Sequence, residues 1–328
     1  MTVIDFHNHV YPPEYIAALE KGPSAYKVTY DANGNPVLHS PGDYNIAVPG
    51  HRLMDVRETV IKKASVDKQI ISLTCPGTIL ETPKRAVELS RLVNDSFAKI
   101  QKEHGDRFVP LATLPLNDPQ SSVIELERAV RGLGLKGATL FSNANGVALS
   151  DERFWPMYEK ANAMNLTFFI HPTYPVGVEA MLNYMLMPLV GFLADTTLAA
   201  ASLVFSGVVQ RFPKIRWVLG HLGGAVPYLA ERFDRGYEAY PECQKNISKP
   251  PSEYLKTNFY YDTVNSDLSA LRFAIDFAGV DHLVAGSDYP HLIGSMEKMI
   301  ASINQLNITR AEKQCILGEN AVRLLGLN

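Results

Sequence analysis

Short apolar segments alternate with amphipathic helical segments along almost the whole chain, and this alternation limits the fold more than any other feature. Most of the apolar segments are hydrophobic throughout, as expected for parallel strands that are covered on both faces. Helical patterns such as Pro83–Glu103 and Gln120–Arg131 lie between them. The eight predicted strands are Val3–Phe6, Gln69–Thr74, Phe108–Leu114, Leu135–Phe141, Leu166–Ile170, Ile215–Gly220, Phe259–Asp262 and His282–Gly286.

Eight strand–helix repeats within 328 residues predict one α/β domain over residues 1–328, folded as a (β/α)₈ TIM barrel. The competing architecture is a doubly wound open sheet, which would be expected to carry a glycine-rich phosphate loop after its first strand. The first strand of this chain instead runs into His7-Asn8-His9. We therefore predict the barrel.

Residues 21–50 do not fit the repeat and form a predicted insertion after strand one. Ala25–His39 is typical of a β-hairpin, since Asn33-Gly34 is a favoured turn dipeptide between two extended segments. An insertion at this place lies at the end of a barrel where active sites are found. We expect it to act as a small lid. Thr309–Leu325 is predicted to be a helix that closes the domain.

Polar side chains that can bind a metal stand at the ends of four predicted strands. His7 and His9 are one residue apart on strand one, so both side chains are expected on the same face. His171 ends strand five, His221 ends strand six and Asp288 ends strand eight. Carboxyl ends of barrel strands are where catalytic residues lie, so these side chains are expected to converge.

Converging histidines and a carboxylate would be costly to bury without a common partner. A pair of histidines alone could serve as hydrogen-bonding core residues, but a shared ion explains the whole set. Imidazole nitrogen with one carboxylate suits Zn²⁺, with Mn²⁺ as the alternative. The end of strand four, Thr139–Ser142, offers no Lys or Glu to bridge a second ion. We predict one metal ion per subunit.

Composition excludes several other classes of protein. The formal net charge is −3 and no long run of Lys and Arg occurs, so a nucleic-acid partner is not expected. The apolar stretch Met181–Phe205 is interrupted by Asn183 and Asp195, and we expect no membrane span. The amino terminus lacks the apolar core of a signal peptide. The three cysteines, Cys75, Cys243 and Cys315, are odd in number and far apart in the sequence. This indicates a reducing, cytoplasmic location.

The histidine and aspartate motifs resemble those of a known superfamily. His-x-His on strand one, FIHPTYP, LGHLGG and GSDYPH are similar to the amidohydrolase superfamily, in its branch of non-oxidative metal-dependent decarboxylases like aminocarboxymuconate-semialdehyde decarboxylase. The segment ADTTLAAASLVFSGVVQRFPKIR resembles this branch strongly. The similarity covers nearly the whole chain. Resorcylate-type members usually begin with Glu-x-His, so His7 places the chain nearer the muconate type.

The resemblance implies a metal-dependent carboxy-lyase that acts on an aromatic hydroxy acid or a carboxymuconate-type acid. It implies that His7, His9, His171 and Asp288 bind zinc. It also implies that His221 activates the metal-bound water or protonates the substrate, and His221 and Asp288 are the predicted catalytic residues. Histidine titrates in the range that such proton transfer requires.

The resemblance also suggests substrate contacts. Arg232 resembles an arginine that reaches the neighbouring subunit's site to bind a substrate carboxylate, which implies a homodimer. A surface ion pair with Glu231 or Asp234 is the alternative. Arg52 lies near a second such arginine, although the local match is poor because the insertion differs in length.

Two further residues are predicted substrate contacts from their places beside the metal motifs. Tyr174 follows His171 by three residues, and His291 follows Asp288 by three.

Two alternative functions remain open. A hydrolase or hydratase that uses metal-bound hydroxide as a nucleophile fits the same donor residues. A non-catalytic, metal-stabilised or ligand-binding barrel is the third alternative.

Overall fold

The strands of the computed structural model, which describes residues 2–40 and 43–327, fall into a barrel and two small antiparallel sheets. They are β1 (Ile4–His9), β2 (Lys27–Tyr30), β3 (Pro36–Ser40), β4 (Asp43–Ile46), β5 (Lys68–Ser72), β6 (Phe108–Pro110), β7 (Ala112–Thr113), β8 (Ala138–Phe141), β9 (Asn143–Ala144), β10 (Val147–Ala148), β11 (Thr167–His171), β12 (Arg216–Leu219), β13 (Phe259–Asp262) and β14 (Leu283–Val284).

Helices follow the barrel strands and surround them. They are α1 (Pro13–Lys21), α2 (Pro49–Arg52), α3 (Met54–Lys63), α4 (Pro83–His104), α5 (Pro119–Glu127), α6 (Trp155–Ala163), α7 (Phe192–Phe205), α8 (Val208–Arg211), α9 (Val226–Ala239), α10 (Pro241–Gln244), α11 (Pro251–Thr257), α12 (Leu268–Ala278), α13 (Met296–Gln305), α14 (Arg310–Gln314) and α15 (Asn320–Leu325). Helices α7 and α8 are separated at Gly207, whose φ is 83°.

The parallel strands form a ring. One sheet has the order β1-β5-β6 and the other β14-β13-β12-β11-β8-β7. Strands β6 and β7 are two parts of one strand, because Leu111 N donates to Ile71 O while Ala112 N donates to Gly137 O. The ring closes between β14 and β1, where Phe6 N donates to Ala285 O at 2.7 Å. The predicted (β/α)₈ barrel is confirmed.

The apolar core of the described residues has three parts, and two of them follow from the double-sided burial of the strands. Inside the ring, Phe6, Phe169 and Val218 pack together with side chains from the other strands. Leu324 and Leu325 of α15 belong to the same cluster, so the carboxyl-terminal helix seals the lower end of the barrel. A larger cluster lies between the strands and the helices. A site can lie at the opposite end of the barrel, which α15 does not cover.

The insertion differs from the prediction of a single hairpin. Strands β2, β3 and β4 form a three-stranded antiparallel sheet, with Lys27 opposite His39 and Val37 opposite Ile46. The third strand was missed because its sequence, Asp43–Ile46, carries no run of apolar residues. Four residues of the predicted domain lie outside the described residues: 1, 41, 42 and 328. Of these, residues 41 and 42 belong to the insertion 21–50.

One apolar helical segment, Met187–Phe205, is long and apolar enough to cross a membrane by length and composition. Half of it is buried inside the protein, and the core helix of a soluble protein meets the same criterion. Its buried side chains include Asp195, Thr196 and Thr197, and Asp195 accepts a hydrogen bond from Asn143 at 2.8 Å. The absence of a membrane span stays a prediction.

Candidate metal centre and active site

The two histidines of β1 reach the barrel interior because the strand is irregular. Ile4 pairs with Lys68 and Asp5 with Gln69, but the register shifts before Asn8. Such a bulge changes which face the following side chains occupy. Phe6 therefore joins the barrel core, and the next residue, His7, also faces inward with its ring centroid 4.9 Å from that of Phe169.

Four buried side chains bring metal-binding atoms together at the open end of the barrel. Nε2 of His7 lies 3.0 Å from Nε2 of His9. Oδ1 of Asp288 lies 3.2 Å from His9 Nε2 and 3.4 Å from His7 Nε2. With His171, one donor atom from each residue lies within 4.8 Å of all the others. Donors about 2.1 Å from a common ion lie about 3.0–3.4 Å apart, so the separations among His7, His9 and Asp288 fit a divalent metal.

Each histidine of this group is oriented through its other ring nitrogen. Nδ1 of His7 bonds Oδ2 of Asp262, and Nδ1 of His9 lies 3.2 Å from Ser72 Oγ. Nδ1 of His171 donates to the carbonyl oxygen of Pro172 at 2.8 Å. A proton held at Nδ1 leaves the lone pair of Nε2 free, and Nε2 is the atom through which His7 and His9 face the other donors. This pattern is usual for metal-ligating histidines and fits a resident ion.

Burial and the neighbouring carboxylate of Asp262 determine the pKa shifts of the three histidines. It lowers the pKa of His171 and of His9 well below the ordinary value. Burial also lowers the pKa of His7, but the charge and hydrogen bond of Asp262 outweigh this effect, and the pKa of His7 is raised. His9 and His171 are therefore neutral imidazoles near neutral pH, the form that binds metal.

His221 lies beside the donors but is not one of the four. Its Nε2 is 3.8 Å from Oδ2 of Asp288, and its side chain is 11% exposed. Its buried Nδ1 has no hydrogen-bond partner among the described residues. His221, Leu222 and Asp288 all have positive φ, at 53°, 56° and 59°. Strained backbone of this kind persists where the surroundings hold it and is common at functional sites.

A cavity of about 600 Å³ opens in front of these groups. His171, His221 and Asp288 lie in its wall. The volume is that of a typical small-molecule site. Most of the wall is apolar and is formed by the loops after the strands and by the insertion: Ile46, Val48, Leu189, Phe192, Val264 and Leu292 among others. The arrangement can hold a flat apolar molecule with a polar group directed at the donors.

Comparison with known proteins agrees with this geometry. A model of the amidohydrolase family matches residues 4–327. The chain belongs to the amidohydrolase family. The 2-amino-3-carboxymuconate-6-semialdehyde decarboxylase of Dictyostelium discoideum is 35% identical over 279 residues, which cover 84% of this chain and 77% of the relative.

Two further relatives are decarboxylases. The 6-methylsalicylic acid decarboxylase of Penicillium expansum is 29% identical over 296 residues, which cover 89% of this amidohydrolase and 86% of the relative. The crystal structure of 5-carboxyvanillate decarboxylase from Sphingomonas paucimobilis matches with a TM-score of 0.87 at 25% identity, covering 100% of this chain and 99% of that one. The predicted enzyme class, a carboxy-lyase of the amidohydrolase superfamily, is confirmed.

The predicted substrate contacts of this amidohydrolase occupy different places. His291 lines the cavity, with its ring centroid 5.0 Å from that of His9. Tyr174 is buried behind the wall, in a cluster with Cys75 and Phe141, and is not among the described lining residues.

Neither predicted arginine lines the cavity of this chain among the described residues. Arg52 instead donates to Ala47 O at 2.6 Å and to Asn35 Oδ1 at 3.1 Å, within and beside the insertion. Arg232 is exposed on α9. The role of both in substrate binding stays a prediction.

Asp262 is a residue of the site that the sequence analysis missed. It ends β13 and is fully buried. Besides bonding His7, its carboxylate accepts hydrogen bonds from the backbone N–H groups of His221 at 3.0 Å and Leu222 at 2.9 Å. It therefore holds a metal-binding histidine and the strained turn of His221 together. The sequence feature that could have identified Asp262 is its position, because it is a carboxylate at the end of an apolar strand.

Proposed function

We propose that this amidohydrolase is a metal-dependent, non-oxidative decarboxylase of an aromatic hydroxy acid or a carboxymuconate-type acid. The observation that carries the proposal is that a buried set of metal-binding side chains and His221 lie in the wall of one cavity. A buried donor set of three histidines and Asp288 forms one end of a largely apolar cavity. His221 lies in the same wall, 3.8 Å from Asp288. Decarboxylases among the relatives support it.

The proposed reaction needs a proton at one carbon and a firm hold on the acid. His7, His9, His171 and Asp288 would hold the divalent ion. When bound, the ion would supply a positive charge that orients the substrate's carboxylate and neighbouring oxygen. The bond between the carboxylate carbon and the substrate carbon that carries it breaks, the electron pair remains on the substrate carbon, and CO₂ leaves. A proton from the His221 and Asp288 pair then forms a bond with that carbon.

The cavity wall favours a substrate with one carboxylate. It is mainly apolar, and of its described residues only Lys298 carries a permanent positive charge. Lys298 is exposed, on α13. An acid with a second carboxylate would need another cation to offset its desolvation. In a homodimer, Arg232 of the partner subunit would be that cation. A carboxymuconate-type substrate has a second carboxylate and would need this arginine in the site.

We further propose that the insertion is a lid, that the chain forms a homodimer in the cytoplasm and that the ion is Zn²⁺. Asp43, Tyr44, Asn45 and Ile46 of β4 line the cavity, which supports the lid. Light scattering of the eluting protein tests the dimer. Elemental analysis of protein purified without added metal distinguishes Zn²⁺ from Mn²⁺.

Product analysis tests the reaction. The enzyme is incubated with hydroxybenzoates and carboxymuconates in ²H₂O, and separately in H₂¹⁸O, while CO₂ release is followed. We expect one deuterium at the carbon that lost its carboxylate and no ¹⁸O in the organic product. Incorporation of ¹⁸O into that product, with no CO₂ released, would show a hydrolase or hydratase and overturn the proposal.

A variant of His221 tests its separation from the metal donors. His221→Asn should keep the bound metal and lose at least about 100-fold in kcat, the usual contribution of a general acid or base. His104→Asn is the matched control, because His104 pairs with Glu58 at 2.8 Å and does not line the cavity. Loss of metal from His221→Asn would mean that His221 is a ligand.

A further inference from the structure

A buried arginine lies directly behind the metal donors. Arg57 of α3 is fully buried. Its guanidinium donates to Gly50 O at 2.9 Å, to Asn8 Oδ1 at 2.8 Å, to Gln69 Oε1 at 2.7 Å and to His9 O. All four acceptors are neutral oxygens. A permanently charged group is seldom buried without a carboxylate in contact, so its position requires an explanation.

The charge of Arg57 is balanced one residue further away. Gln69, which accepts from Arg57, donates through Nε2 to Oδ2 of Asp5 at 2.9 Å. Asp5 also accepts from Ser287, from N at 3.0 Å and from Oγ at 2.7 Å. Arg57, Gln69, Asp5 and Ser287 therefore form one hydrogen-bonded chain, here called the Arg57–Asp5 network. Its members come from α3, β5, β1 and the segment after β14.

The two ends of this network are attached to two metal donors. At one end, Arg57 holds the carbonyl oxygen of His9. At the other end, Asp5 holds Ser287, which precedes Asp288. Arg57 also lies over the ring of Tyr289, which follows Asp288, at 4.9 Å from the ring centroid. The backbone on both sides of Asp288 is thus fixed by the network that fixes His9.

The backbone at these donors needs such support. Asp288 has a φ of 59°, a costly conformation for a residue with a side chain. The backbone of the segment from Ser287 to Tyr289 bonds β1 through Ser287 N to His7 O at 3.2 Å, Asp288 N to His7 O at 2.8 Å and His9 N to Tyr289 O at 2.8 Å. The Arg57–Asp5 network adds side-chain bonds to these. Metal sites require their donors to be held to within about 0.5 Å.

We propose that Arg57 is a positioning residue of the metal site. Through the Arg57–Asp5 network it holds His9, at the end of β1, and Asp288, in the segment after β14, at binding separation before the ion enters. The inference rests on the metal site of the proposed function and is independent of which reaction follows. A merely structural arginine would affect the stability of the fold and leave metal affinity unchanged.

Metal affinity of the apoprotein tests this role without any substrate. Arg57→Lys keeps the charge but cannot reach all four acceptors. We expect its dissociation constant for Zn²⁺ and Mn²⁺, measured by competition with a chromogenic chelator, to rise about 10- to 100-fold, the usual effect of losing an outer-shell partner. The absorption spectrum of the Co²⁺-substituted protein should also change, because the donor geometry relaxes.

Gln69→Met is a second variant that cuts the middle of the network and leaves Arg57 in place. It should raise the dissociation constant and alter the Co²⁺ spectrum in the same direction. Arg85→Lys is the matched control, since Arg85 is a half-buried arginine that donates to Ala18 O at 2.6 Å and to Glu88, far from the donors. Its dissociation constant should equal that of the wild type.

Two results would overturn the inference. One is a dissociation constant within twofold of the wild type for Arg57→Lys and Gln69→Met, with only the melting temperature lowered. The other is a wild-type apoprotein that binds neither Zn²⁺ nor Mn²⁺, which removes the metal site itself. A protein that binds metal in an Arg57-dependent way but releases no CO₂ supports this inference while refuting the proposed reaction.

Discussion

Replacing Asp262 by asparagine should invert the protonation of His7. The carboxylate oxygen Oδ2 accepts from His7 Nδ1 and from His221 N at 3.0 Å, while Oδ1 accepts from Leu222 N at 2.9 Å and Val264 N at 3.0 Å. Asparagine has only one oxygen. If the amide oxygen accepts the hydrogen bonds from Leu222 N and Val264 N, the amide NH₂ group faces His7. Nδ1 of His7 must then accept a hydrogen bond from that NH₂ group.

The proton of His7 then moves to Nε2, the atom that faces the other donors. An Asp-to-Asn change acts on a catalytic histidine through the same tautomer shift. Disturbing an outer-shell partner weakens metal binding about 10- to 100-fold, or about 1.4–2.8 kcal/mol. The backbone N–H of His221 also loses its acceptor, at about 1–3 kcal/mol. We therefore expect Asp262→Asn to reduce the free energy of unfolding of the apoprotein by about 1–3 kcal/mol.

Three measurements check this expectation. Chelator competition gives the dissociation constant for Zn²⁺, urea unfolding gives the stability, and ¹⁵N NMR of the imidazole rings reports which nitrogen carries the proton. Asp281→Asn is the control, because Asp281 is exposed and its ion pair with Arg323, at 3.7 Å, lies on the surface. Unchanged metal affinity in Asp262→Asn, with His7 still protonated at Nδ1, would refute the reasoning.

Three other changes have definite expected outcomes in urea unfolding. Burial raises the pKa of Asp43 from 3.8 to about 6, so the folded state favours its neutral form; Asp43→Asn should leave stability unchanged at pH 4 and raise it by up to about 3 kcal/mol at pH 8. Gly224→Ala should destabilise the fold by about 1–3 kcal/mol, because φ is +62° and a Cβ would lie 2.3 Å from Leu193 O; equal stability would contradict this. Phe169→Ala, in the barrel core, should lower the unfolding free energy by about 3–5 kcal/mol with an unchanged far-UV spectrum.

The barrel and the convergence of His7, His9, His171 and Asp288 could be predicted from the sequence because both follow from position along the chain. An apolar strand followed by a helix, repeated, leaves few ways to bury every strand. Side chains that directly follow such strands meet at one end of the ring, whatever the lengths of the loops. His171 and Asp288 needed no further information, since each stands at a strand end.

The histidine pair was placed correctly, but the alternation of strand residues does not account for its position. Phe6 and His7 are neighbours, and a regular strand would send them to opposite faces. Both face the interior because the register of β1 shifts between Asp5 and Asn8. The sequence gives no sign of this bulge, which depends on the pairing with β5.

The residues that support the site were harder to predict because their partners are distant in the chain. Arg57 lies in a short helix with an ordinary helical pattern, and its acceptors come from residues 8, 9, 50 and 69. Only the folded structure brings these oxygens around one guanidinium. Arg52, five residues earlier, is the arginine that the resemblance suggested, and it bonds the insertion instead. Which of two nearby arginines is buried depends on packing that the pattern does not contain.

The closure of the barrel between its first and last strands also governs when a metal can be held. His9 and Asp288 are 279 residues apart, yet their donor atoms lie 3.2 Å from each other. The ribosome makes the histidine pair long before it makes the carboxylate, which comes after β14. The complete donor set therefore exists only in a chain that extends past residue 288. We expect a product that ends before this residue to bind the ion more weakly, because it lacks one of the four donors.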